Sequence, residues 1–385
     1  MPPPIFVSVE PLIIDWVMRY TSGVKNTDII ENLLNWRSGD SKPTFNKVES
    51  ISKAIHIPLG YFFLKKPPNE EFPILQYRTI DSKGTEELSR DMIDILNHME
   101  NVQSWMRDYM LDAGYDRLSF VGSAHAKQGM QEVVRCFRQI FQIPHDWREQ
   151  VTASKGVFKY FRERFEKAGV LIMMSGIVGN NTHRILNIED FRAFTFIDEY
   201  APIIFINAND SISAKLFSLL HEAAHIMFGI SDFFNDRYGH ADDVATIETL
   251  CNAVAAEVLI PNDLFHDEWR KLVSQDVFSR LKVLSITFKC GIVVVARKAL
   301  DNRFIAKDQY KTVVNEAVKN YNDSRGKSFG GDYYATAATR IDNRFLIALD
   351  NSVREGKTQY TDAFRLTHTN RKTFSNLLDK VRGVG

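Results

Sequence analysis

Cysteine is scarce in this chain: Cys136, Cys251 and Cys290 are the only three among 385 residues. They are widely spaced and odd in number, which argues against a disulfide framework or a cysteine-based metal site and for a reducing compartment. No run of about 18 or more apolar residues occurs, so no membrane span is expected. The N-terminus lacks a basic segment followed by an apolar core, so no secretory signal is expected and the cytoplasm is the anticipated location. An excess of charge is also missing: 48 Lys and Arg balance 48 Asp and Glu. That argues against a strongly basic, whole-surface nucleic-acid binder, although a local basic patch remains compatible with it. A chain of this length is expected to form about two or three domains.

What is present is the run Leu219-Leu220-His221-Glu222-Ala223-Ala224-His225-Ile226-Met227-Phe228, an H-E-x-x-H pattern inside an apolar stretch of helical spacing. Two histidines four residues apart project from one face of a helix, about one turn apart. Both imidazoles can then reach one zinc ion at roughly 2.0–2.1 Å. Glu222 falls beside such a metal, where its carboxylate can take a proton from an attacking water. The pattern needs a third ligand. A second helix is predicted from Ile247 to Leu259, stopped by Pro261. Glu248 lies at its start, and Asn252 follows one turn later on the same face. A glutamate would complete a His₂Glu set that leaves the fourth position open, and Asn252 would hold a ligand by a hydrogen bond.

These segments resemble the ImmA/IrrE metallopeptidases. Phe191-Arg192-Ala193-Phe194-Thr195 and Pro202-Ile203-Ile204-Phe205-Ile206-Asn207 resemble the paired strands before the family's zinc helix, and Phe217 to His225 resembles the helix itself. Glu248 and Asn252-Ala253-Val254-Ala255-Ala256, ending in Leu259-Ile260-Pro261, resemble its third-ligand helix. Cys251 and Val254 stand where Ala and Phe are commoner. The resemblance implies Zn²⁺ held by His221, His225 and Glu248, with Glu222 as general base. It further implies site-specific cleavage of a partner protein, usually an XRE-type repressor, in transcriptional, stress or mobile-element control. The competing reading is a non-catalytic regulator or antitoxin that binds a partner such as a toxin, or DNA.

The fold class expected is α+β: mostly helical, with a small antiparallel sheet packed on the zinc helix and helix-turn-helix-like units on both sides. Five regions are anticipated. Residues 1–68 resemble an XRE-like helix-turn-helix domain through Trp36-Arg37-Ser38-Gly39 and Pro43-Thr44, with Arg37 where Glu is common and no clean two-helix recognition unit over 16–26. Residues 69–154 read as a linker, with Arg78 as a structural contact, and then a helical layer continuing through 86–150. Residues 155–265 are the peptidase core. It begins with a helix ended at Gly169, an apolar strand at 170–174, a turn at Asn180-Asn181, and strands at 191–197 and 202–207 paired around Asp198-Glu199-Tyr200. Either of the last two strands is a candidate edge for substrate backbone. Residues 231–243 read as a polar loop in which His240 or Tyr238 could donate to an oxyanion, or lie on the surface; His240 is also the alternative third ligand. Residues 266–310 form a second helix-turn-helix-like unit with Lys289, Arg297, Lys298 and Arg303 as local positive charge, and 311–385 a C-terminal helical region.

Overall fold

The computed structural model describes residues 3–21, 27–68, 88–153, 156–230, 241–324 and 339–383. It is 61% helical with a three-stranded sheet, an α+β architecture. Two compact units are present: one takes the described residues up to 68 with the stretch to Asp94, the other runs on from Ile95.

The smaller unit packs α1 (Pro11–Arg19), α2 (Thr27–Ser38) and α3 (Phe45–Ile55) around Ile13, Val17, Leu33, Val48, Ile51 and Phe62. Trp36 of α2 joins this core rather than facing outward. The helix that follows the position expected of a recognition turn exposes Asp28 and Glu31, and its Arg37 is bound to Asp15 at 2.7 Å. DNA-reading helices place groove-contacting residues in their first turns, against a negatively charged backbone. The first turn of α2 is acidic, which opposes that use.

In the larger unit, α4 (Arg90–Asp112) and α5 (Met130–Ile140) supply the helical layer. The layer is not continuous: residues 113–129 are irregular and contain Gly114, Gly122 and Gly129, each costly in a helix interior. Then α6 (Val157–Ala168) ends at Gly169, whose φ of 114° only glycine adopts readily, and the chain turns into β1 (Leu171–Ser175). A short hairpin, β2 (Ile177–Val178) and β3 (Asn181–Ile185), precedes β4 (Ala193–Phe196) and β5 (Ile203–Asn207). The main sheet has the order β1-β5-β4. β4 and β5 pair antiparallel as expected, but β1 runs parallel to β5, so the sheet is mixed rather than antiparallel. The tight connection at Asp198 forces β4 and β5 antiparallel, whereas β1 reaches β5 by a long crossover that permits the parallel direction. Ile203–Asn207 is buried throughout, the continuous pattern of a central strand.

The sheet is covered on both faces. Ile172, Ile204 and Ile206 join the core of Phe161, Phe165 and the helix α7 (Ile212–Phe228), whereas Met173 and Phe205 line a cavity with Met99 and Val102 of α4. Each such large apolar side chain contributes roughly 1.5–3 kcal/mol on full burial. The same core takes in α8 (Ala241–Leu259), α9 (Asn262–Lys271), α10 (Val277–Thr287) and α11 (Ile292–Asp301) through Val254, Phe265, Leu284 and Val295. The helix-turn-helix-like pair α10 and α11 is therefore part of the peptidase core. Its cations are spent internally: Lys298 is buried 2.5 Å from Glu257, Lys289 donates to the Arg148 and Val151 carbonyls, and Arg297 pairs with Asp301 at 3.0 Å.

After α12 (Lys307–Ser324), the C-terminal helices α13 (Asn343–Arg354), α14 (Tyr360–Thr367) and α15 (Arg371–Arg382) dock through a polar clasp. The outward N–H of Ile172 on β1 donates to Asp342 (3.0 Å), and its carbonyl accepts from Arg162 (3.1 Å). Arg162 also bonds Glu166 (2.6 Å) and the Thr339 and Ile341 carbonyls, so the β1 edge is closed by side chains instead of another strand.

Candidate metal centre

The site is built on α7. Ser211 caps its start by accepting from the Ala214 N–H at 3.2 Å. From Leu219 to Phe228 every residue is buried, so this helix segment is apolar nearly all round and runs through the core. His221, Glu222 and His225 are 5%, 3% and 1% exposed. Burying polar groups in such a segment is costly unless they engage one another or a ligand.

They converge with Glu248 of α8, whose side chain is 21% exposed. The ligating atoms of His221, His225 and Glu248 lie within 4.8 Å of one another, the one such group among the described residues. Nε2 of His221 and Nε2 of His225 are 3.0 Å apart; Glu248 lies 3.5 Å from the first and 3.3 Å from the second. For a tetrahedral ion bound at roughly 2.0–2.1 Å, neighbouring donor atoms should be about 3.3–3.4 Å apart. The three separations bracket that value, and two imidazoles with one carboxylate are a donor set that suits zinc.

The loop after α7 orients one of these rings. Gly229, at φ 66°, closes the helix with its N–H on the Ile226 carbonyl, and the Ile230 N–H returns to His225 O at 3.3 Å. That turn brings the Ile230 carbonyl to 3.2 Å from His225 Nδ1. A carbonyl can only accept, so Nδ1 carries the proton and Nε2 presents its lone pair toward His221 and Glu248. The irregular stretch after α4 supports the same turn: Gly122 N–H donates to the Ile226 carbonyl and Ala124 N–H to that of Met227. Gly122 and Gly229 approach so closely that a Cβ on Gly229 would meet the Gly122 Cα at 2.8 Å.

The sequence signals for His221, Glu222, His225 and Glu248 thus meet at one point. Asn252 does not join them: it is exposed and makes no hydrogen bond to these side chains, and the orienting acceptor is a backbone carbonyl, which carries no residue signature. A glycine following the last apolar residue of the helix was the available hint of that turn. The helix bearing Glu248 starts earlier than expected, at Ala241, and His240 and Tyr238 lie outside the described residues, as does Arg78. Of the two candidate edge strands, β5 is hydrogen-bonded on both sides, which leaves β4 as the edge away from β1.

Comparison with known proteins places a match on this region. Residues 165–296 match the peptidase M78 family, the IrrE N-terminal-like domain, and residues 341–380 match a domain of unknown function, DUF8813. The radiation response metalloprotease IrrE of Deinococcus deserti is 30% identical over 106 residues, which cover 24% of this chain and 38% of that protein. The aligned part is thus well under half of that relative's length. The segment from α6 to α11, which carries the converging histidines and glutamate, is similar to the peptidase domain of IrrE-like metalloproteases.

Proposed function

We propose that this chain is a zinc-dependent endopeptidase that cleaves a partner protein at a specific site, with a repressor of the XRE type as the partner class. The observation that carries the reading is the triangle of His221, His225 and Glu248, whose edges of 3.0, 3.5 and 3.3 Å match tetrahedral ligation. Zinc at that point would polarise a peptide carbonyl and acidify a water, chemistry these side chains do not supply themselves. Nε2 of each histidine and a Glu248 oxygen would hold it. Glu222 is buried beside His221, on the helix turn between the two histidines. Its carboxylate receives the proton of the attacking water and delivers it to the leaving amine, the two transfers that peptide hydrolysis requires. Ile230 O fixes the His225 tautomer throughout.

Substrate backbone would add to the outer edge of β4, where main-chain hydrogen bonds hold an extended peptide without demanding particular side chains. Asn207 N–H bonds to Arg192 O, so Ala193 and Thr195 present their backbone groups outward. Ala193 is half-buried, whereas Thr195 is fully buried, so an extended substrate must displace what covers the second position. That requirement fits a protease that acts narrowly.

Metal analysis of the purified chain is the test. About one zinc per chain is expected, lost in Glu248→Ala and retained in Glu222→Gln. Glu222→Gln should also leave a co-expressed XRE-type repressor intact while the wild type cuts it. A wild type without metal after zinc is supplied, or cleavage that survives Glu222→Gln, would overturn the assignment.

A further inference from the structure

A second histidine pair lies on the opposite face of the sheet from α7. His98 of α4 and His368, which follows α14, stack with ring centroids 3.9 Å apart and planes tilted by 39°. Both line a cavity of about 50 Å³ whose walls include Met99, Met173 and Ser175. No hydrogen bond joins either imidazole to another of the described residues. His98 is deeply enclosed, and burial together with the neighbouring His368 pushes its pKa down to about 3. Both rings are therefore neutral and offer lone pairs. A buried imidazole without a partner forfeits the hydrogen bonds it made to water, so the pair is costly unless something occupies the cavity.

Size and charge restrict that occupant. Organic ligands need pockets of roughly 300–1,000 Å³, whereas about 10–15 Å³ admits one water. The cavity fits an ion with a few waters. Among its described lining residues there is no carboxylate and no thiol, and the one ionised side chain is Arg340. A hard divalent cation would find neither the oxygen donors nor the negative charge it needs. The self-energy of an ion scales as the square of its charge, so a monovalent cation costs about a quarter as much as a divalent one to bury there. Imidazole and thioether donors without negative charge select monovalent copper among biological cations.

We propose that this cavity is a copper(I) site, held by His98 and His368 with thioether sulfur from Met99 completing the coordination. Ile95, His98, Met99 and Val102 form one stripe of α4 along the cavity, so both α4 donors come from the same helix face. The Met173 sulfur already accepts the Asp342 N–H at 3.4 Å, which leaves Met99 as the freer thioether. The terminal torsion of histidine is broad, so either ring can turn its nitrogen toward a shared ion. Asn180 donates to the His368 carbonyl, tying that ring's backbone to the β2–β3 hairpin. The site joins α4, the hairpin and the C-terminal helices through a single ion, and it does not depend on the chemistry assigned to α7 and α8.

The test uses the full chain carrying Cys136→Ser, which removes the thiol that is not fully buried outside the core, and preloaded with zinc so that the α7 site is filled. Anaerobic titration with copper(I) against bicinchoninate should give one tightly held ion per chain. His98→Gln and Met99→Leu should weaken it, the first by roughly 100-fold or more, as expected when a direct ligand rather than an outer partner is lost. His368→Asn serves as the second ligand variant, because asparagine tolerates the left-handed backbone at this position (φ 48°). Zinc content and melting temperature of the variants verify that they are folded. Failure of the wild type to compete with the chelator, or equal retention in His98→Gln and His368→Asn, would overturn the proposal.

Discussion

Gly229→Ala should damage the candidate centre without touching a ligand. Two terms set the size. An L-residue at φ 66° costs roughly 1 kcal/mol or more in the left-handed region. The added methyl would stand 2.8 Å from the Gly122 Cα, a backbone atom that cannot rotate away, and such overpacking costs typically about 1–3 kcal/mol. Together they predict a loss of about 2–4 kcal/mol, or roughly 4–12 °C in melting temperature for a unit of this size. The displaced turn also pulls the Ile230 carbonyl from His225 Nδ1, and loss of such an orienting partner lowers metal affinity by about 10- to 100-fold. Gly356→Ala is the control: its φ of 72° carries the same strain, but nothing lies within 4 Å of its added Cβ. It should cost only about 1 kcal/mol and leave zinc affinity unchanged. Differential scanning fluorimetry and zinc competition with a chromophoric chelator measure both quantities. If Gly229→Ala melts like Gly356→Ala and holds zinc like the wild type, the argument from the Gly122 contact and the Ile230 carbonyl is refuted.

Three further outcomes follow from buried charge. Lys298→Met should destabilise the chain by about 3–5 kcal/mol, because Glu257, nearly as buried as its partner, would keep its charge without a counterion; urea denaturation monitored by circular dichroism measures it. Burial and the adjacent Asp342 carboxylate push Glu166 up to about 7, despite its contact with Arg162. A raised folded-state pKa gives stability that is complete below the ordinary value of 4.5 and is lost as pH rises toward 7. The wild type should therefore lose melting temperature between pH 5 and 7 relative to Glu166→Gln, and parallel curves would contradict the clasp as drawn. Fluorescence anisotropy should detect no salt-dependent binding of upstream duplex DNA, given the acidic first turn of α2 and the internal pairing of Lys298, Lys289 and Arg297. A steep salt slope would restore the DNA-binding reading.

Much of the site was legible because its signals are local. The four-residue spacing of His221 and His225 is a property of any helix, and Glu248 fell on a helix that small residues and Pro261 made recognisable. The helix stop at Gly169 and the pairing of β4 with β5 were likewise written in short-range pattern. Other features depend on residues distant in sequence. Whether β1 ran parallel or antiparallel to β5 was invisible in either strand alone, since direction is set by the path of the crossover. Asn252 had the right spacing but points to solvent, because α8 packs on α7 through its other face. The basic residues of α10 and α11 looked available until tertiary packing buried Lys298 against Glu257, 41 positions away. By itself, then, the sequence determined which side chains can share a metal, because helical periodicity fixes their relative directions. Only the tertiary structure decided which backbone carbonyl orients His225, which strand keeps a free edge, and which two histidines, 270 positions apart by their numbers His98 and His368, come to share a cavity. Those outcomes depend on contacts between distant segments, which no local pattern encodes.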